Sequence, residues 1–180
     1  ARAKADGKAV RSGIAHKTPN YQELMSKGLR GIVAEIDAKL AEVAQREPSA
    51  DQQETLAVFR AMRLECEAVV QMAARYADLA EEKAQAAQTE ARQAELLQIA
   101  EVCRRVPAEP PQTLHEAIQS FWFVHHAFTC TEALLSCGRI DQYLYPAYAR
   151  DRAAGRLTLS AAQELIDCLW LRFCDRTQVN

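Results

Sequence analysis

No stretch of this 180-residue chain approaches the roughly 20 consecutive apolar residues that a membrane-spanning helix needs. A membrane protein is therefore not predicted. Residues 1–13 lack the apolar core of a secretory signal. None of the six cysteines (Cys66, Cys103, Cys130, Cys137, Cys168 and Cys174) sits in a Cys-x-x-Cys pair. In a chain this long and rich in Leu and Ala, disulfide staples are not needed, so reduced thiols and a cytoplasmic protein are expected. Charge of one sign is missing too: the net charge is -2, and no global field recruits nucleic acid or anionic lipid. Arg2, Lys4, Lys8 and Arg11, set against Asp6, read as a solvated leader because no aromatic residues interleave with them. Period-two strand patterns and internal repeats are also absent. What remains is ordinary for a soluble domain, or part of a larger one, at 49% hydrophobic and 26% charged residues.

Helical periodicity fills most of the chain. Thr18-Pro19 predicts a helix start, followed by Leu24, Ile32, Val33, Ile36, Leu40 and Val43 at helical spacing. Gly28 is expected to bend this helix and Pro48 to end it. Ser49 and Gln52 have capping-box spacing before a long helix with Leu56, Phe59, Leu64, Val69, Met72, Tyr76 and Leu79 as its apolar stripe. The stripe fades over 80–88, and Thr89 begins another helix through Leu96, Leu97, Ile99 and Cys103. Pro107, Pro110 and Pro111 predict a stiff linker, the strongest internal boundary. Thr113 and Glu116 form a second capping-box pattern ahead of "LHEAIQSFWFVHHAF". Leu114, Ile118, Phe121, Trp122 and Phe128 leave that helix apolar on most sides, which is the pattern of a helix buried in a sizeable protein. "SCGRIDQYLYPAY", residues 136–148, reads as a rigid aromatic turn. After Gly155, Thr158 or Ser160 caps a last helix. The expected organisation is a leader (1–17), a long-helix section (18–106), and a section (107–180) holding the linker, buried helix, turn and final helix of the same domain.

The residues that could carry chemistry are few. His126 and Cys130 are four apart on a helix and could share a metal, but two ligands do not make a site. A packed, hydrogen-bonded histidine is the expectation for the His125–His126 pair, and no metal is predicted. Cys130 and Cys137 could be a redox pair, yet nothing local supplies the electropositive setting a reactive thiolate needs. His115, in the first turn of its helix, is read as a neutral surface or capping residue because the helix dipole disfavours a cation there. Arg139 and Asp141 flank Ile140 and, on an extended segment, would point the same way. They are read as a bidentate structural clasp that fixes the turn; the functional alternative is that the clasp aims the loop Thr131–Cys137 into a pocket.

Four collinear pieces of the chain resemble the glycyl radical enzymes of the pyruvate formate-lyase-like family. They are "AHKTPNYQELMSKGLRGI", "AELLQIAEVCRRVPAEPPQTLHEAIQSFWFVHHAF", "GRIDQYLYPAY" and "GRLTLSAAQELIDCLWLRF". Ala15 replaces the family's usual glycine, Ile140 replaces its usual aromatic, and the loop before Gly138 is about two residues shorter by hydrophobic register. The resemblance implies that this mainly α segment belongs to a ten-stranded α/β barrel wrapped by helices. It also implies a backbone glycyl radical installed by a radical S-adenosylmethionine activating enzyme, and a cysteine that relays it to a small-molecule substrate. An anaerobic, homodimeric lyase or dehydratase follows from it, without nucleic acid or membrane. Neither the cysteine motif nor the radical-glycine motif occurs in these residues, so no catalytic residue is assigned and no cofactor is expected within the segment. The implied substrate wall is Thr131, Glu132 and Ser136. Ser136 is the nearest match to a serine that holds substrate hydroxyls in the glycerol-dehydratase-like branch; the alternative is a serine bonding its own turn. The alternative for the whole chain is a catalytically silent helical scaffold derived from the same family.

Overall fold

The computed structural model describes residues 17–131 and 135–175. It is built from six helices among the described residues: α1 (Tyr21–Ala44), α2 (Ala50–Gln85), α3 (Glu90–Arg105), α4 (Leu114–Thr131), α5 (Ile140–Ala153) and α6 (Leu159–Asp175). One isolated parallel bridge pairs Lys17 with Leu135.

The cap of α1 is Asn20, two residues later than Thr18. Its side-chain oxygen accepts from Glu23 N at 3.2 Å, satisfying one of the helix's orphan donors. Gly28 does interrupt α1, at φ 63° and ψ 172°. Two N–H groups released by the break find new acceptors: Leu29 N donates to Pro107 O at 2.8 Å and Arg30 N to Ala108 O at 3.0 Å. A β-carbon at position 28 would collide with Ala108 O and sit 2.6 Å from the Glu109 carbonyl carbon. The proline-rich stretch thus lies against α1, with Val106 and Pro107 fully buried.

Ser49 caps α2 by accepting from Gln52 N at 3.1 Å. Gln52 does not complete the box. Its amide donates instead to Val43 O (3.1 Å) and Arg46 O (2.9 Å), tying the α1–α2 connection shut. Thr89 caps α3 through Arg92 N at 3.2 Å.

The buried face of α2 holds Leu56 of the stripe of large residues, but further along it is made of small ones. Ala73, Ala77, Ala80 and Ala84 are buried, while Leu64, Tyr76 and Leu79 are 66%, 48% and 43% exposed. Small side chains let α2 and α3 approach closely, and the large ones flank the seam. Ala100, Cys103 and Phe123 complete this small core. An apolar groove of about 360 Å³ lies beside it, lined by Tyr76, Leu79 and Ile99 with Ile118, Trp122 and Leu169.

The main core gathers Tyr21, Leu24 and Leu29 of α1, Leu114, Ala117, Ile118 and Phe121 of α4, Leu144 and Ala147 of α5, and Ala162 and Leu169 of α6. Phe121 is fully buried, but Phe128 is 41% exposed. The α4 helix is therefore covered along its start and middle and open near its end.

Residues 136–148 are mostly not a turn. Helix α5 begins at Ile140 and carries Pro146 inside it, so the turn proper is confined to 135–139. The helix is fastened by Asp151, which is 3% exposed. Its carboxylate accepts from Leu114 N at 2.7 Å and from Arg156 at 2.7 and 3.1 Å. Asp151 thereby caps α4 from 37 residues away. Glu116 accepts from Gln112 N (2.6 Å) and Arg105 (3.2 Å), and Thr113 accepts from Glu116 N at 3.2 Å. Thr158 caps α6 through Ala161 N at 3.1 Å.

Candidate functional site

The turn preceding α5 is joined to the segment preceding α1. Ser136 N donates to Lys17 O at 2.9 Å, extending the Lys17–Leu135 bridge. Gly138 adopts φ 61°, the left-handed region that favours glycine. A β-carbon there would also lie 2.8 Å from Thr18 Cγ2. The two segments form one continuous wall because glycine meets both demands. A notch of about 150 Å³ opens between them, lined by Thr18, Asn20, Tyr21, Cys137, Gln142 and Tyr143.

Behind the wall is an aromatic cluster. Tyr21 and Phe121 pack edge to face with centroids 4.7 Å apart, and Tyr143 lies 5.5 Å from Tyr21 and 5.8 Å from Phe121. The polar tips of the tyrosines are satisfied, as buried phenols require. The Tyr21 hydroxyl and His125 Nδ1 share a hydrogen bond of 2.8 Å, and Tyr143 donates to Cys137 O at 2.8 Å. Burial pushes both phenols well above their ordinary range, so both stay protonated. His125 is 4% exposed and also stacks on Phe121 at 5.1 Å, the packed, hydrogen-bonded histidine expected of this helix.

Ser136 is exposed, and its hydroxyl oxygen accepts from Gly138 N at 3.1 Å. Thr131 is the last residue of α4, and Glu132 lies outside the described residues. The Arg139–Asp141 pair is bidentate, at 3.0 and 2.8 Å. Its setting differs from the extended one expected. Arg139 is the N-cap and Asp141 stands in the first turn of α5, with side chains 70% and 63% exposed. The hydrogen bond from Arg139 holds the Asp141 carboxyl below its usual range and raises the guanidinium.

Other candidates stand apart from the wall. Among the described residues no three His, Cys, Asp or Glu side chains gather as metal ligands. Burial pushes the Cys103 thiol up to about 11 and also raises Cys66, the behaviour of inert packed cysteines. Cys130 is exposed and Cys137 half-buried. Burial lowers the pKa of His115 against the opposing pull of Glu116, so it is neutral, for a reason other than the dipole invoked from sequence. Sequence reasoning missed the Tyr21–His125 pair and Asp151. Their partners are 104 and 37 residues distant, so no local pattern announces them.

The family model described as pyruvate formate lyase-like matches residues 5–180. The chain belongs to the pyruvate formate lyase-like family. Trans-4-hydroxy-L-proline dehydratase of Clostridioides difficile is 39% identical over 153 residues, covering 83% of this chain and 19% of that protein. Isethionate sulfite-lyase of Nitratidesulfovibrio vulgaris is 36% identical over 156 residues, covering 84% and 19%. Among solved structures, the glycerol-bound B12-independent glycerol dehydratase of Clostridium butyricum superposes with a TM-score of 0.85 at 32% identity, covering 93% of this chain and 21% of that one. The chain spans about a fifth of the length of these family members.

Proposed function

We propose that this helical segment is one wall of the substrate pocket in a glycyl radical lyase or dehydratase acting on a small polar substrate. In this reading the segment packs against a ten-stranded α/β barrel, and the thiyl cysteine and radical glycine lie elsewhere in the polypeptide. The observation that carries it is the continuous wall of residues 17–20 and 135–139, in a family whose similar members include a dehydratase and a sulfite-lyase. Exposed Tyr145, Leu159, Trp170 and Leu171 on α5 and α6 support a partner surface supplied by the rest of that polypeptide.

The radical, installed by a radical S-adenosylmethionine activating enzyme, supplies hydrogen abstraction from the substrate. The residues of this chain bind and orient. A serine hydroxyl at 136 engages a substrate oxygen without adding charge, Thr131 and Glu132 are assigned to substrate contact in the same reading, and the Arg139–Asp141 clasp stands at the base of the turn. Holding the target hydrogen close while keeping water out is what this chemistry demands of a wall. An anaerobic, cytoplasmic homodimer completes the reading.

The test uses the full-length polypeptide incubated anaerobically with its activating enzyme. The doublet electron paramagnetic resonance signal of a glycyl radical is expected. A polypeptide with both motifs intact and no such signal overturns the reading in favour of a catalytically silent scaffold.

A further inference from the structure

One peptide unit in the wall is held at both ends. The Cys137 carbonyl accepts from the Tyr143 hydroxyl at 2.8 Å, and the N–H of the same peptide, on Gly138, donates to Ser136 Oγ at 3.1 Å. The left-handed Gly138, φ 61°, follows this peptide in the turn. Tyr143 is itself fixed by packing on Tyr21 and Phe121, so its hydroxyl is delivered from the rigid core.

We infer that Tyr143 is a positioning residue for Ser136, acting through the Cys137–Gly138 peptide; this rests on Ser136 facing substrate, as proposed above. A bonded chain of this kind polarises along its length: a donor on the carbonyl strengthens the N–H of the same amide. One lone pair of Ser136 Oγ is then committed to Gly138. The hydroxyl hydrogen is left to donate outward from an exposed side chain. A hydroxyl set as a donor selects an acceptor, so the ligand group facing Ser136 carries an oxygen lone pair, as a carboxylate, sulfonate or alcohol does. The effect of Tyr143 passes through the amide.

The experiment is a double-mutant cycle in the full-length activated enzyme. Ser136→Ala is expected to raise KM about five-fold, the worth of one hydrogen bond, with kcat changed less. Tyr143→Phe, which removes one oxygen and keeps the ring, is expected to raise KM in the same direction, by two- to five-fold on the order of a hydrogen bond. The two should not add: in the Ser136→Ala background Tyr143→Phe has no further effect. Ser136→Thr keeps the hydroxyl and should restore most of the affinity. Additive effects, or a Tyr143→Phe enzyme with the parent's KM, overturn the inference while the wall reading stands. A Ser136→Ala enzyme with unchanged KM overturns the placing of Ser136 itself. If Tyr143→Phe does not accumulate folded, 3-fluorotyrosine at 143 replaces it. This stronger donor should lower KM, and an unchanged or higher KM overturns the inference.

Discussion

Two cores of one chain are built on opposite plans. The core under the 135–139 turn is aromatic and polar-tipped, with Tyr21, Phe121 and Tyr143 interlocked and the two tyrosine hydroxyls hydrogen-bonded to His125 Nδ1 and Cys137 O. The seam between α2 and α3 is made of alanines, with its large apolar residues left outside. Aromatic packing fixes orientation, because rings and hydroxyls have few ways to fit. An alanine seam fixes only distance. The rigid plan sits under the 135–139 turn, and the plainer one runs along α2 and α3.

If that contrast is right, truncating the centre of the aromatic core costs most. Phe121→Ala, at a fully buried site, should lower unfolding free energy by about 4 kcal/mol in chemical denaturation. In the seam the opposite change is the damaging one. Ala77→Leu, with no room for the added atoms at a fully buried position, should cost about 2 kcal/mol by overpacking; a neutral result would mean the seam is loose.

His115 lines the groove between the two cores and offers a pH handle. Its folded pKa lies below the ordinary value of 6.5 because of burial. The unfolded chain then binds the extra proton first, so stability is complete above that value and declines as pH falls through it. His115→Gln should flatten the dependence of melting temperature on pH between about 7 and 5. Smallest of all, Leu64→Gln on the exposed side of α2 should shift stability by no more than about 0.5 kcal/mol, despite replacing a large apolar residue in a periodic stripe.

That last contrast shows where the sequence misleads. Helical spacing finds every helix among the described residues except α5, which was read as a turn, because spacing reports periodicity directly. It does not say which of two apolar faces is inside. On α2 the stripe is buried at Leu56 but exposed at Leu64, Tyr76 and Leu79, where the alanines form the seam because small residues let two helices approach closely. The 136–148 stretch was read as a turn from its glycine, proline and tyrosines. Yet Pro146 is accommodated within α5, and only 135–139 is irregular. Local caps such as Ser49, Thr89 and Thr158 were legible since donor and acceptor are three residues apart. The wall itself was half visible. The glycine and serine stand in the signature, but their engagement with Lys17 and Thr18 spans well over a hundred residues and leaves no local trace.

The break at Gly28 means that α1 is mechanically two rods. The first, residues 21–27, is clamped into the aromatic cluster; the second continues into the hairpin and is bonded to the carbonyls of Pro107 and Ala108. The direction of the second rod is therefore set by its two bonds to the proline-rich stretch and not by helical continuity with the seven residues anchored beneath Ser136.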